Sequence, residues 1–101
     1  MRVMIFFDLP QDTAADMREY RNFHKFLQKN GFVMMQESVY SKIILNSTAA
    51  AAVQEKVRKN KTSKGLIQML LITERQFEHM EIIVGETNKT VIDSDEKLVI
   101  L

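Results

Sequence analysis

Asp8 closes a run of five apolar residues, Val3-Met4-Ile5-Phe6-Phe7, and stands two residues before Pro10. A carboxylate at that place has two readings. In the local one it accepts hydrogen bonds from backbone N–H groups two residues on, as an Asx-type turn does. In the chemical one a strand holds it out, so that Asp8 residues from two copies of the chain lie close together. Neighbouring carboxylates repel, and they either share a proton or bind a cation. Mg²⁺ fits, because it takes one or two carboxylates, keeps several waters and accepts phosphate. A metal-held water can then attack a phosphodiester.

A second feature is positive charge. Arg18, Arg21, Lys25 and Lys29 are spaced by 3, 4 and 4 residues, which aligns them along one helix face. Lys56, Arg58, Lys59, Lys61 and Lys64 place five basic residues within nine. Such a stripe and cluster can follow a phosphate backbone. The structural alternatives are a solvated helix face, helped by pairs of Glu19 with basic neighbours, and cations that complement a helix C-terminus. Neither cluster interleaves aromatic residues, so the reading is backbone contact without base stacking or sequence readout.

Other chemistries find little support. His24 follows Phe23 in a helical pattern, and His79 lies among acids in "QFEHMEI". Neither has the spacing of a metal or triad signature. Ser38, Tyr40 and Ser41 lie on one strand without a partnered histidine, so none reads as a nucleophile. Gly31, Gly65 and Gly85 are isolated, so there is no glycine-rich phosphate loop. Cysteine is absent, which excludes disulfides and thiolate metal sites and fits a reducing cytoplasm. The apolar run after Arg2 is too short for a signal-peptide core, and "LIQMLLI" is too short to span a bilayer. The expectation is a cytoplasmic protein with no membrane partner.

At 101 residues the chain has room for one core. Its net charge of +1 hides an asymmetry: residues 1–73 carry 11 Lys/Arg against 6 Asp/Glu, and residues 74–101 carry 3 against 7. One part suits a polyanion, and the other suits a basic protein surface or self-contact.

The elements that must position these residues follow from periodicity. Residues 3–7 read as a strand apolar on both faces. Asp12 or Thr13 caps a helix running to about Asn30, with Thr13-Ala14-Ala15-Asp16 as a capping box and Gly31 beyond its end. Met17, Tyr20, Phe23, Phe26 and Leu27 face its core side. "FVMMQ" (32–36) and "SVYSKIIL" (38–45) read as strands joined tightly. Residues 46–60 form a second helix, capped by Ser47 or Thr48. "LIQMLLIT" (66–73) reads as a fully buried strand, and "MEIIVG" (80–85) and "EKLVIL" (96–101) as further short ones. The order predicts an α+β, ferredoxin-like βαββαβ domain over 1–86 with a C-terminal strand extension over 87–101. The strands from 3 and 66 are expected as central neighbours. Two helices cover only one face of such a sheet, so the apolar second face predicts a homodimer packed sheet to sheet. The tail "LVIL" would add a strand to the partner's edge.

"FFDLP" with Asp8, "KNGFVMMQESVY" with Gly31, Gln36, Ser38, Val39 and Tyr40 in order, and the ferredoxin-like pattern with its strand-forming tail carry a resemblance. The chain resembles the CRISPR-associated endoribonuclease family, the second of the universal Cas proteins, over roughly residues 1–86. The tail looks like versions that accompany Cas9-type (type II) systems. The resemblance implies a homodimer with Asp8 of each chain at the interface and as a Mg²⁺ ligand. It implies a nuclease on single-stranded RNA or double-stranded DNA. It also implies a role in spacer acquisition, in which the dimer bridges two dimers of the CRISPR integrase and supports a DNA fragment. Two departures stand out. Phe7 lacks the hydroxyl of the tyrosine that many members carry before the aspartate. Met34 replaces a basic residue that some carry two places before the glutamine. Both shift weight from hydrolysis to the scaffold role.

Two other functions share this fold. One is a metal-dependent endoribonuclease of toxin type. The other is a regulatory domain that binds a small ligand at its dimer interface, which would have no use for the basic clusters.

Overall fold

The structure is a computed structural model and describes residues 1–86. Its elements run β1 (Arg2–Asp8), α1 (Ala14–Lys29), β2 (Val33–Gln36), β3 (Val39–Ile43), α2 (Ser47–Lys59), β4 (Leu66–Ile72) and α3 (Glu74–Glu78). The four strands form one antiparallel sheet in the order β2-β3-β1-β4. This is the ferredoxin-like arrangement expected from the sequence. The central pair is β1 and β3, however. β4 pairs with β1, with Asp8 opposite Leu66, and forms the outer strand. The split βαβ connectivity places β3 on the other side of β1 and so leaves β4 at the margin.

Alternation along β1 sets up the core. Val3, Ile5 and Phe7, followed by Leu9, join Phe23 and Leu27 of α1, Tyr40 of β3, and Ala50 and Val57 of α2 in one buried cluster. The opposite face carries Arg2, Met4, Phe6 and Asp8. Phe7 packs edge-on against Phe23, ring centroids 5.2 Å apart, and stacks on Tyr40 at 5.7 Å. β4 follows the same alternation and is not fully buried. Ile67 and Met69 pack on the core, whereas Leu66 and Leu70 stay 53% and 52% exposed on the other face.

Thr13 and Asp16 close the expected capping box on α1, each side chain bonded to the other's backbone N–H. Met17 departs from the expected core face and is exposed, because it lies beside the basic stripe on the helix surface. The cap of α2 is Asn46, one residue before those expected, its side chain accepting from the Ala49 N–H at 2.9 Å. Its extended backbone leaves Ser47 as the first helical residue. β3 stops at Ile43, and Leu45 is 91% exposed.

Residues 80–85 form no strand. A strand needs a hydrogen-bonded neighbour, and none of the described residues pairs with this segment. Before it comes α3, which the periodicity did not reveal. Its signature is nevertheless local: Thr73 and Gln76 make a second capping box. Arg2 ties α3 to the sheet. Its Nε donates to both Glu74 carboxylate oxygens at 3.0 Å, Nη1 donates to Ser41 Oγ at 3.3 Å, and the guanidinium lies 3.7 Å from the centre of the Phe77 ring. The expected strand at 96–101 lies outside the described residues.

Candidate functional site

Asp8 is exposed at the end of β1, where alternation turns its carboxylate to the face away from α1 and α2. Among the described residues its side chain accepts no hydrogen bond and makes no ion pair. The Asx-type turn is therefore not formed among the described residues, and the strand is followed directly by Leu9, whose side chain is buried. α3 is tied to this face at the Arg2 end, the opposite end of β1 from Asp8. Around Asp8 the neighbours on β4 are Leu66 and Gln68, both exposed.

Gly65 fits the start of β4 against this site. Its φ is +89°, and a Cβ there would stand 2.8 Å from the Asp8 carbonyl oxygen and 2.7 Å from Leu9 Cδ2. Only glycine combines that conformation with that approach.

Arg18, Arg21, Lys25 and Lys29 are all exposed on α1. At 100° per residue they lie opposite the side that buries Asp16, Phe23 and Leu27. None of the four has an ion-pair partner among the described residues. Glu19 does not pair with them: its Oε2 accepts from Ser63 N at 3.2 Å and Ser63 Oγ at 2.8 Å. The second cluster divides. Arg58 is paired with Glu55 at 3.0 Å and Lys64 with Asp16 at 3.1 Å, while Lys56, Lys59 and Lys61 have no such partner among the described residues. The hydrogen bond from Lys64 holds the Asp16 carboxyl below the usual carboxylate range against opposing desolvation, with Lys64 charge and Thr13 adding to it.

The fold thus joins the loop at 61–65 to the first turns of α1 and to Asp8, but the α1 stripe and Asp8 lie on opposite sides of the sheet. Sequence reasoning missed Lys42. Its Nζ donates to the Asn30 carbonyl at 2.5 Å beyond the end of α1, and it lines a cleft of about 230 Å³ with Phe26, Phe32, Val53 and Val57. His24 is half-buried and hydrogen-bonded to the Tyr40 hydroxyl. Burial, then the neighbouring Tyr20, pushes the Tyr40 phenol up from its ordinary value. Among the described residues no three His, Asp or Glu side chains converge on a metal position. No helix there is long and apolar enough to cross a membrane.

The chain's relatives agree with this architecture. The family described as CRISPR associated protein Cas2 matches residues 1–80. The CRISPR-associated endoribonuclease Cas2 of Treponema denticola is 46% identical over 101 residues, all of both chains. The protein of the same name in Streptococcus mutans is 44% identical over 101 residues, covering 100% of this chain and 93% of that one. The crystal structure of Streptococcus pyogenes Cas2 at pH 6.5 matches in fold, with a TM-score of 0.61 at 16% identity over 83% of this chain and 100% of the other. With the family matching most of its length and these relatives matching all of it, the chain belongs to the CRISPR-associated Cas2 family.

Proposed function

We propose that this protein is a homodimeric adaptor of CRISPR spacer acquisition that binds the backbone of double-stranded DNA and bridges integrase dimers, with a Mg²⁺-dependent nuclease centre at Asp8. The observation that carries the nuclease part is the Asp8 carboxylate itself. It is exposed, committed to no partner among the described residues, and set at the end of a buried strand. One chain offers one such group, and Mg²⁺ asks for one or two carboxylates and completes its shell with water and phosphate. The residues therefore fit as half of a site whose other half is Asp8 of a second copy. A bound ion would supply an activated water and neutralise charge on a phosphodiester. The chain's own task is to keep Asp8 free and fixed in place.

Three features support the rest of the reading. Leu66, Leu70, Ile43 and Val33 leave the face away from α1 and α2 partly apolar, as a surface awaiting a second sheet would be. The cations of α1, with Lys56, Lys59 and Lys61, have no ion-pair partner among the described residues and suit phosphates without base readout. The excess of acid after residue 73 suits a basic surface of the integrase. The Cas9-type setting belongs with this reading. The relatives' name favours RNA as a substrate, which makes a metal-dependent endoribonuclease the second reading.

Purified protein and Asp8→Ala should be incubated with single-stranded RNA and double-stranded DNA, with Mg²⁺ or a chelator. Cleavage that needs both Mg²⁺ and Asp8 is the expected result, and the preferred substrate separates the two readings. Absence of cleavage with DNA bound equally by both proteins would remove the nuclease and leave the adaptor.

A further inference from the structure

The loop between α2 and β4 is fastened at both ends of its short path. On one side α1 holds it: Lys64 Nζ stands 3.1 Å from Asp16 Oδ1, and Glu19 accepts from both the N–H and the Oγ of Ser63. Within the loop Thr62 Oγ donates to the Lys64 carbonyl at 2.8 Å. On the other side Gly65 seats against the Asp8 carbonyl and Leu9, and Leu66 stands opposite Asp8 in the β1–β4 pairing. Asp16 is 4% exposed, so its carboxylate is directed inward at the loop rather than into solvent. Two acids at the root of a basic helix stripe would weaken phosphate binding if they were free. Here both are consumed by the loop.

We propose that Asp16 and Glu19 are positioning residues for Asp8: they clamp the loop at 62–65 against the end of β1, and the loop sets where the Asp8 carboxylate stands. The functional consequence rests on the reading of Asp8 as the reacting carboxylate; the mechanical coupling does not. A carboxylate that accepts no hydrogen bond among the described residues takes its position from its backbone, and Gly65, just before β4, seats closely against that backbone. The clamp also explains why the basic cluster divides. Lys64 serves as a fastening, and Lys61, without an ion-pair partner among the described residues, remains beside it for phosphate.

The test reads Asp8 directly, by the NMR signals of its carboxyl carbon and of the Leu9 amide. Asp16→Asn keeps an acceptor for the Thr13 N–H but loses the ion pair. Lys64→Gln removes the same pair from the exposed side and serves if Asp16→Asn folds poorly. Each should move both signals, and the double variant should move them no further, since the two act through one contact. Thr13→Ala, which removes the helix cap and spares the ion pair, should lower the melting temperature without moving them. Signals unmoved in Asp16→Asn and Lys64→Gln, or moved as far by Thr13→Ala, would overturn the proposal. In the cleavage assay Asp16→Asn and Glu19→Gln should each lower kcat about tenfold with KM little changed, the pattern of a misplaced reacting group. If the unaltered protein cleaves nothing, the nuclease reading fails, and the NMR signals still decide the coupling.

Discussion

Gly65 joins fold and chemistry through a single missing methyl group. Its φ of +89° lies where side chains are disfavoured, and its Cβ would strike backbone as well as the Leu9 side chain. A left-handed conformation alone costs a non-glycine residue about 1–2 kcal/mol, and displacement of the Asp8 carbonyl adds to that. Gly65→Ala should therefore destabilise the protein by about 2 kcal/mol or more, measured by urea unfolding, because neither strand can give way without breaking the β1–β4 pairing. Asp16 makes a different prediction. Its carboxyl is lowered from the ordinary value of 3.8 by Lys64, so the folded state favours the charged form. The resulting stability is present in full above that ordinary value and is lost as pH falls through the lower folded value. The melting temperature should decline in that acid range, and Asp16→Asn should show a shallower decline there. Both residues had visible types in the sequence, but their roles did not. The Thr13–Asp16 box was legible because its two members are three residues apart. The Asp16–Lys64 pair was not, because 48 residues separate the partners and only the fold brings them together.

At the level of elements the period-3.6 and period-2 patterns were strong where one face meets the core. α1 is the clearest case, with Phe23 and Leu27 buried on the face opposite its arginines and lysines. Leu27 is fully buried, and truncating such a leucine costs about 2–5 kcal/mol depending on how the cavity relaxes. Leu27→Ala should fall in that range by chemical denaturation, while an alanine at Lys25 or Lys29 should stay within about 0.5 kcal/mol of the parent. The strand order was less legible. The apolar run of β4 resembles a central strand, yet it occupies the margin, since composition reports how much surface a strand will hide and not which neighbour hides it. The segment at 80–85 shows the same limit. Met80, Ile82, Ile83 and Val84 have the composition of a strand and remain exposed, and none of the described strands pairs with them, since apolar composition does not by itself dock a segment on a sheet edge. α3 was overlooked because five residues are too few to show a period, although its capping box was there to be read.

For the whole molecule, the sheet has one face covered by helices and another held down mainly at the Arg2–Glu74–Phe77 end. A second copy on the remaining surface would bury Leu66 and Leu70 and bring the two Asp8 residues toward one another. Leu70→Glu, a change at a half-exposed position, should leave the far-ultraviolet circular dichroism intact. It should also shift sedimentation from twice the chain mass toward one chain mass at micromolar concentration. A variant that sediments like its parent would place the dimer surface elsewhere. The separation of the α1 stripe from Asp8 by the sheet has one more consequence. A duplex lying along the stripe rests on the outer side of a helix about 10 Å thick, with the sheet beneath, and Asp8 points away from it. On the proposed function, cargo carried there would be out of reach of the carrier's own blade: the molecule would hold a DNA fragment intact and still keep a cutting edge for whatever reaches its other side.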